Sequence, residues 1–111
     1  MWLTEADLDF YAGEFTRTGF RGGLSWYRNI DRNWELMAPF AGARVTTPAL
    51  CMIGDLDLTT AFRGARETLA AMPRHVPRLR ETVMLPACGH WTQQERAAEV
   101  NAAMIGFLRS L

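Results

Sequence analysis

Cysteine is scarce in this sequence, with Cys51 and Cys88 the only two among 111 residues. Two cysteines are too few for a disulfide framework, and with two irregularly spaced histidines they match no zinc pattern, so neither a disulfide nor a metal centre is expected. An excess of one charge is also lacking, since 12 Lys and Arg balance 12 Asp and Glu. Nucleic-acid binding draws on a surplus of cations against phosphate, so nucleic acid is not an expected partner. No apolar run nears the roughly 20 residues that span a bilayer, and no basic segment followed by an apolar core opens the chain. The expectation is a cytoplasmic protein with no membrane partner.

What is present is a globular composition, 49% hydrophobic and 22% charged, too apolar for disorder. Length alone fits one compact unit. The pattern nevertheless changes character along the chain. Thr4, Glu5, Ala6 and Asp7 read as a helix N-cap with an acidic first turn, followed by Leu8, Tyr11 and Phe15 at helical spacing, with Gly19 as the stop. A second helix is expected from about Ser25, with Tyr27, Ile30 and Trp34 on one face. The stretch from Pro39 to Pro48 breaks the helical pattern and reads as a connection.

Beyond it, Ala49, Leu50, Cys51, Met52 and Ile53 form an apolar run closed by Gly54, the pattern of a strand buried on both faces. Phe62, Ala65, Leu69 and Met72 then predict a helix over 61–72 that Pro73 should end. Alternating Leu79, Glu81, Val83 and Leu85 predict a second strand, closed by Pro86. Thr92, Gln93, Gln94 and Glu95 read as a capping box for a last helix with a buried stripe of Val100, Met104, Phe107, Leu108 and Leu111. From Pro48 onward, strand, helix, strand, helix is the grammar of an α/β fold with a parallel sheet, yet two strands do not make such a sheet, so this second half reads as the edge of something larger.

Ligands of open α/β sheets bind at the C-terminal ends of the strands, where Asp57 follows the first strand and His90 the second. Adjacent strands would let Asp57 accept a hydrogen bond from the His90 ring, giving the acid and base of a nucleophile–histidine–acid triad. Other readings of the same residues are a helix N-cap or turn for Asp57, with Asp55 the nearer turn residue, and a plain loop imidazole for His90. Cys88 as a thiol nucleophile is disfavoured, because residues so close in sequence to the base rarely oppose it.

Two longer stretches are specific. Gly19-Phe20-Arg21-Gly22-Gly23-Leu24-Ser25-Trp26-Tyr27-Arg28-Asn29-Ile30-Asp31-Arg32-Asn33-Trp34 resembles the cap segment of α/β-hydrolase-fold epoxide hydrolases, and Cys88-Gly89-His90-Trp91-Thr92-Gln93-Gln94-Glu95 resembles their catalytic-histidine loop. Gly23 stands where the family pattern has a proline. The resemblance implies a partial α/β-hydrolase fold, with 1–40 a helical cap segment and 41–111 the last two strand-helix units of the core. It implies that Tyr27 donates a proton to the opening epoxide oxygen, that His90 deprotonates the water that hydrolyses an aspartyl ester, and that Asp57 orients His90. A small apolar epoxide and water are the implied partners, with no cofactor and no metal. Trp26, Trp34 and Trp91 suit either a pocket lining or a core.

The family's nucleophilic aspartate on its strand-to-helix turn, its His-Gly-X-Pro loop and its second cap tyrosine have no counterpart in these residues, and no serine sits in a Gly-X-Ser-X-Gly elbow. The expectation is a C-terminal fragment, truncated near Met1, that does not hydrolyse epoxides alone and that is poorly soluble, self-associates through an exposed sheet edge or expands. Other readings are a haloalkane dehalogenase or another hydrolase of the fold, against which the proton-donating Tyr27 argues, and a non-catalytic remnant serving as an interaction module.

Overall fold

In the computed structural model, which describes residues 2–111, Thr4 caps helix α1 (Glu5–Thr18) as its sequence dictates. The Thr4 hydroxyl accepts from the Asp7 N–H and the Asp7 carboxylate accepts from the Thr4 N–H, so two otherwise orphaned donors are satisfied reciprocally. Gly19, at φ 68° and ψ 176°, takes a positive-φ conformation that suits glycine, and its N–H closes the helix on the Phe15 carbonyl.

The second expected helix starts earlier and is broken. It runs as α2 (Arg21–Arg28) and α3 (Ile30–Met37), separated by Asn29. The Asn29 side-chain amide donates to the Ser25 carbonyl at 2.8 Å, offering the backbone a local alternative to the helical ladder. A 3-10 turn, Ala38–Phe40, closes this part. Contacts divide the chain into two compact units, Met1–Ala41 and Gly42–Leu111. In the first unit the apolar faces are left open: Phe10, Trp26, Ile30 and Trp34 are all exposed.

In the second unit, strand β1 (Ala49–Gly54) pairs in parallel with β2 (Leu79–Leu85). Register runs from Leu50 opposite Glu81 to Gly54 opposite Leu85, with an irregularity between Ala49 and Leu50. Among the described residues the sheet has these two strands alone. The expectation that β1 is buried on both faces is therefore not met: it is half-buried except at Gly54, with α5, α6 and the neighbouring strand the main elements against it.

Helix α4 (Ala65–His75) starts later and ends later than expected. A 3-10 turn, Leu58–Ala61, precedes it, and Gly64 at φ 82° makes the bend into it. Pro73 sits inside its last turn rather than ending it, since a proline there forfeits one hydrogen bond and the helix stops two residues on. The last expected helix is also two, α5 (Thr92–Glu95) and α6 (Ala97–Arg109), broken at Arg96. Trp91, not Thr92, is the N-cap of α5, and neither half of the expected capping box forms; the Glu95 carboxylate accepts from the Trp91 N–H instead.

The buried core of the second unit is Leu85, Cys88 and Val100, with Met52 and Val83 packed against it. Of the expected α6 stripe only Val100 is buried; Met104, Leu108 and Leu111 are exposed. Phe107 is half-buried, so the expected stripe is covered only in part among the described residues. Among the described residues no helix is long and apolar enough to cross a membrane.

Candidate active site

The loops that follow β1 and β2 are stitched together before any reactive group is considered. Leu56 N–H donates to the Cys88 carbonyl at 2.9 Å, and the Asp55 carboxylate accepts from the Cys88 N–H at 3.2 Å. Gly54 permits this approach, because a Cβ there would stand 2.1 Å from the Cys88 carbonyl oxygen and 2.3 Å from that of Gly89. Both are backbone atoms and cannot swing aside. Gly54→Ala should therefore lower the unfolding free energy by about 3 kcal/mol, measured by urea denaturation. Gly22→Ala, where a Cβ meets nothing within 4 Å, is the control and should stay within about 1 kcal/mol of the parent.

Asp57 N-caps the 3-10 turn. Its Oδ1 accepts from the Thr59 N–H and hydroxyl, both at 2.8 Å, which leaves Oδ2 for the His90 Nδ1 at 3.0 Å. The carboxylate is nearly buried, whereas the His90 side chain is half-exposed. The Thr59 N–H holds the Asp57 pKa below its ordinary value; burial opposes this, and the Thr59 hydroxyl and His90 add to the lowering. An ionised carboxylate can only accept, so Nδ1 carries the proton and Nε2 presents its lone pair. Trp91 packs edge-on against the imidazole at 5.3 Å.

Asp57 is thus both the N-cap and the partner of His90, two readings that the sequence sets against each other. Asp55 is occupied by the Cys88 backbone. Cys88 is fully buried, and burial first, then the nearby Glu95 charge, pushes its thiol pKa up, which keeps it a thiol rather than a nucleophilic thiolate.

No family model matches the chain. Epoxide hydrolase A of Mycobacterium tuberculosis is 48% identical over 99% of this chain and 33% of its own length, and epoxide hydrolase 1 of Siraitia grosvenorii is 40% identical over 97% and 35%. Among solved structures, potato epoxide hydrolase I superposes with a TM-score of 0.92 at 38% identity, covering 99% of this chain and 35% of that one. The Vigna radiata epoxide hydrolase gives 0.93 at 37%, covering 99% and 36%. The relatives and structures that cover this chain are thus epoxide hydrolases of the α/β-hydrolase fold, as expected of a part of such a protein. The chain spans about a third of the length of these relatives.

As part of an epoxide-hydrolase fold, the second unit contributes the β1–β2 pair and the two loops at the strands' C-terminal ends. Tyr27 belongs to the first unit, on the last turn of α2, and is 72% exposed. Ile30 and Trp34, which the sequence places on the same helical face, are exposed with it. Sequence reasoning missed what Glu95 and its neighbour Arg96 do at the end of the histidine loop. Arg96 donates to the Pro86 carbonyl through Nε and Nη2, both at 3.1 Å, and to the Ala87 carbonyl at 2.9 Å. Glu95 reads as a cap from its spacing but reaches beyond the cap, to the Gly89 N–H at 2.7 Å. No local pattern announces either contact, because the partners lie in an irregular loop.

Proposed function

We propose that the 111 residues are the part of a cytoplasmic epoxide hydrolase that carries its base, its orienting acid and a proton donor, with 1–40 a cap segment and 41–111 the end of the core. The observation that carries this reading is the 3.0 Å bond from His90 Nδ1 to Asp57, which leaves Nε2 free to face water. An aspartate outside these residues attacks an epoxide carbon, the C–O bond breaks, and the alkoxide takes the Tyr27 phenol proton. His90 Nε2 then removes a proton from water, and the hydroxide adds to the ester carbonyl. Collapse releases the diol as its leaving oxygen takes the imidazolium proton, and the proton shed by the restored carboxyl group returns the Tyr27 phenolate to phenol. The Asp57 charge stabilises the imidazolium that forms in between. The epoxide names of the relatives, and the apolar character of the exposed Trp26 and Trp34, support a small apolar epoxide as substrate.

The test is a chimera in which these residues replace the matching third of the Mycobacterium tuberculosis relative. Diol formation from styrene-oxide-like epoxides is expected. Within that chimera Tyr27→Phe should slow single-turnover ester formation by about 10²- to 10³-fold, the cost of removing one hydrogen-bond donor from a developing oxyanion. An unchanged rate would remove Tyr27 from the mechanism.

A further inference from the structure

The loop bearing His90 is held from two sides, and only one of them touches the ring. Asp57 holds the imidazole. Glu95 holds the backbone: its Oε2 accepts from the Gly89 N–H at 2.7 Å and its Oε1 from the Trp91 N–H at 3.0 Å, so the two amides that flank His90 end on one carboxylate. Helix capping explains half of this. Trp91 is the N-cap of α5, and its amide is the donor that a first-turn acid ordinarily satisfies. Gly89 lies two residues earlier, outside the helix, and its bond serves the loop alone.

Bridging both neighbours fixes the His90 Cα between two points, so that the remaining freedom is the ring's own torsions, which Asp57 settles. Bonds to an ionised acceptor are shorter and stronger than neutral ones. Gly89 leaves room for the bridge, because a Cβ there would stand 2.9 Å from Oε1 and 3.2 Å from Oε2 and would push the carboxylate aside. The entry to the loop is held separately by Arg96, whose bond to the Ala87 carbonyl helps keep that residue at φ 49°, a conformation that costs a non-glycine residue energy.

We propose that Glu95 is a positioning residue for His90, acting through the loop backbone, an assignment that rests on the reading of His90 as the base of ester hydrolysis. Ester formation does not use His90. Loosening the bridge therefore slows one chemical step and spares the other, which loss of general stability would not do. A misplacement of about 1 Å at a reacting group costs about 10²-fold.

The chimera is the vehicle, with Glu95→Ala, Glu95→Gln and Gly89→Ala compared in single turnovers. Glu95→Ala should slow ester hydrolysis by about 10- to 100-fold and leave ester formation unchanged, so that kcat and KM fall together while kcat/KM holds. Glu95→Gln keeps one acceptor oxygen and should recover part of the rate. Gly89→Ala keeps the charge but displaces the carboxylate, and should repeat the alanine effect more weakly. Amide exchange at Gly89 and Trp91 should quicken about tenfold in Glu95→Ala, which reads the bridge with or without turnover. Equal loss in both steps, unchanged hydrolysis, or unchanged exchange would overturn the assignment. A parent chimera that forms no ester counts against the proposed function instead, and amide exchange then decides whether Glu95 holds the loop.

Discussion

Replacing His90 with glutamine in the chimera should leave the first chemical step running and stop the second, so that the protein gains the mass of one substrate molecule and keeps it. Glutamine offers Asp57 an N–H donor but has no basic nitrogen to take a proton from water. Removal of a general base costs about 10²- to 10⁴-fold, enough to make the covalent ester the dominant species at steady state. Intact-mass measurement after mixing with epoxide reads it directly. Asp57→Asn should slow the same step by a comparable factor, since an amide facing Nδ1 can favour the wrong tautomer. Asp55→Asn should act through stability, because the Asp55 carboxylate serves the Cys88 backbone. Normal turnover without His90 would end its assignment as the base.

Residues 1–111 on their own should form no diol. An acid, a base and its orienter cannot make a covalent ester without an attacking carboxylate, and these residues contain no nucleophile elbow. The loss is complete rather than partial. The physical state should be equally telling, because each strand leaves an edge unpaired among the described residues and large side chains such as Trp26, Trp34 and Leu108 stand exposed. We propose that the isolated chain self-associates through these surfaces. Light scattering should report oligomers, and an epoxide panel should match a no-protein control. A monomer that turned over any of these epoxides, with activity lost on changing His90, would contradict both statements and direct attention to Asp31, Asp55 and Glu95 as nucleophiles.

Much of the fold was legible because its signals are local. The apolar run closes at Gly54 and the alternation stops before Pro86, which has no N–H for the ladder, and both strands lie where these residues mark them. Thr4 caps through atoms three residues away, so its role is readable from spacing. The adjacency of Asp57 and His90 follows from parallel pairing, which brings the two C-terminal loops to one edge.

What was not legible depends on atoms distant in the chain or on surfaces these residues do not include. The break at Arg96 accompanies a side chain spent on the carbonyls of Pro86 and Ala87, ten and nine residues earlier. The steric demand at Gly54 comes from a loop more than thirty residues on. Periodicity marked the α6 stripe as wanting burial, but it carries no information on what supplies the cover, and Met104, Leu108 and Leu111 remain open.

Which nitrogen of His90 carries the proton decides whether the pair can act as a base. Nitrogen NMR of the ring in the chimera, labelled at histidine and assigned by loss of the signals in His90→Gln, separates the two tautomers at a pH where the imidazole is neutral. With Asp57 accepting from Nδ1 at 3.0 Å, the Nδ1 signal should be of the protonated type and the Nε2 signal of the unprotonated type, and Asp57→Asn should mix or reverse them. A neutral ring protonated at Nε2 in the parent protein, with no response to Asp57→Asn, would contradict the assignment of His90 as base and Asp57 as its orienter.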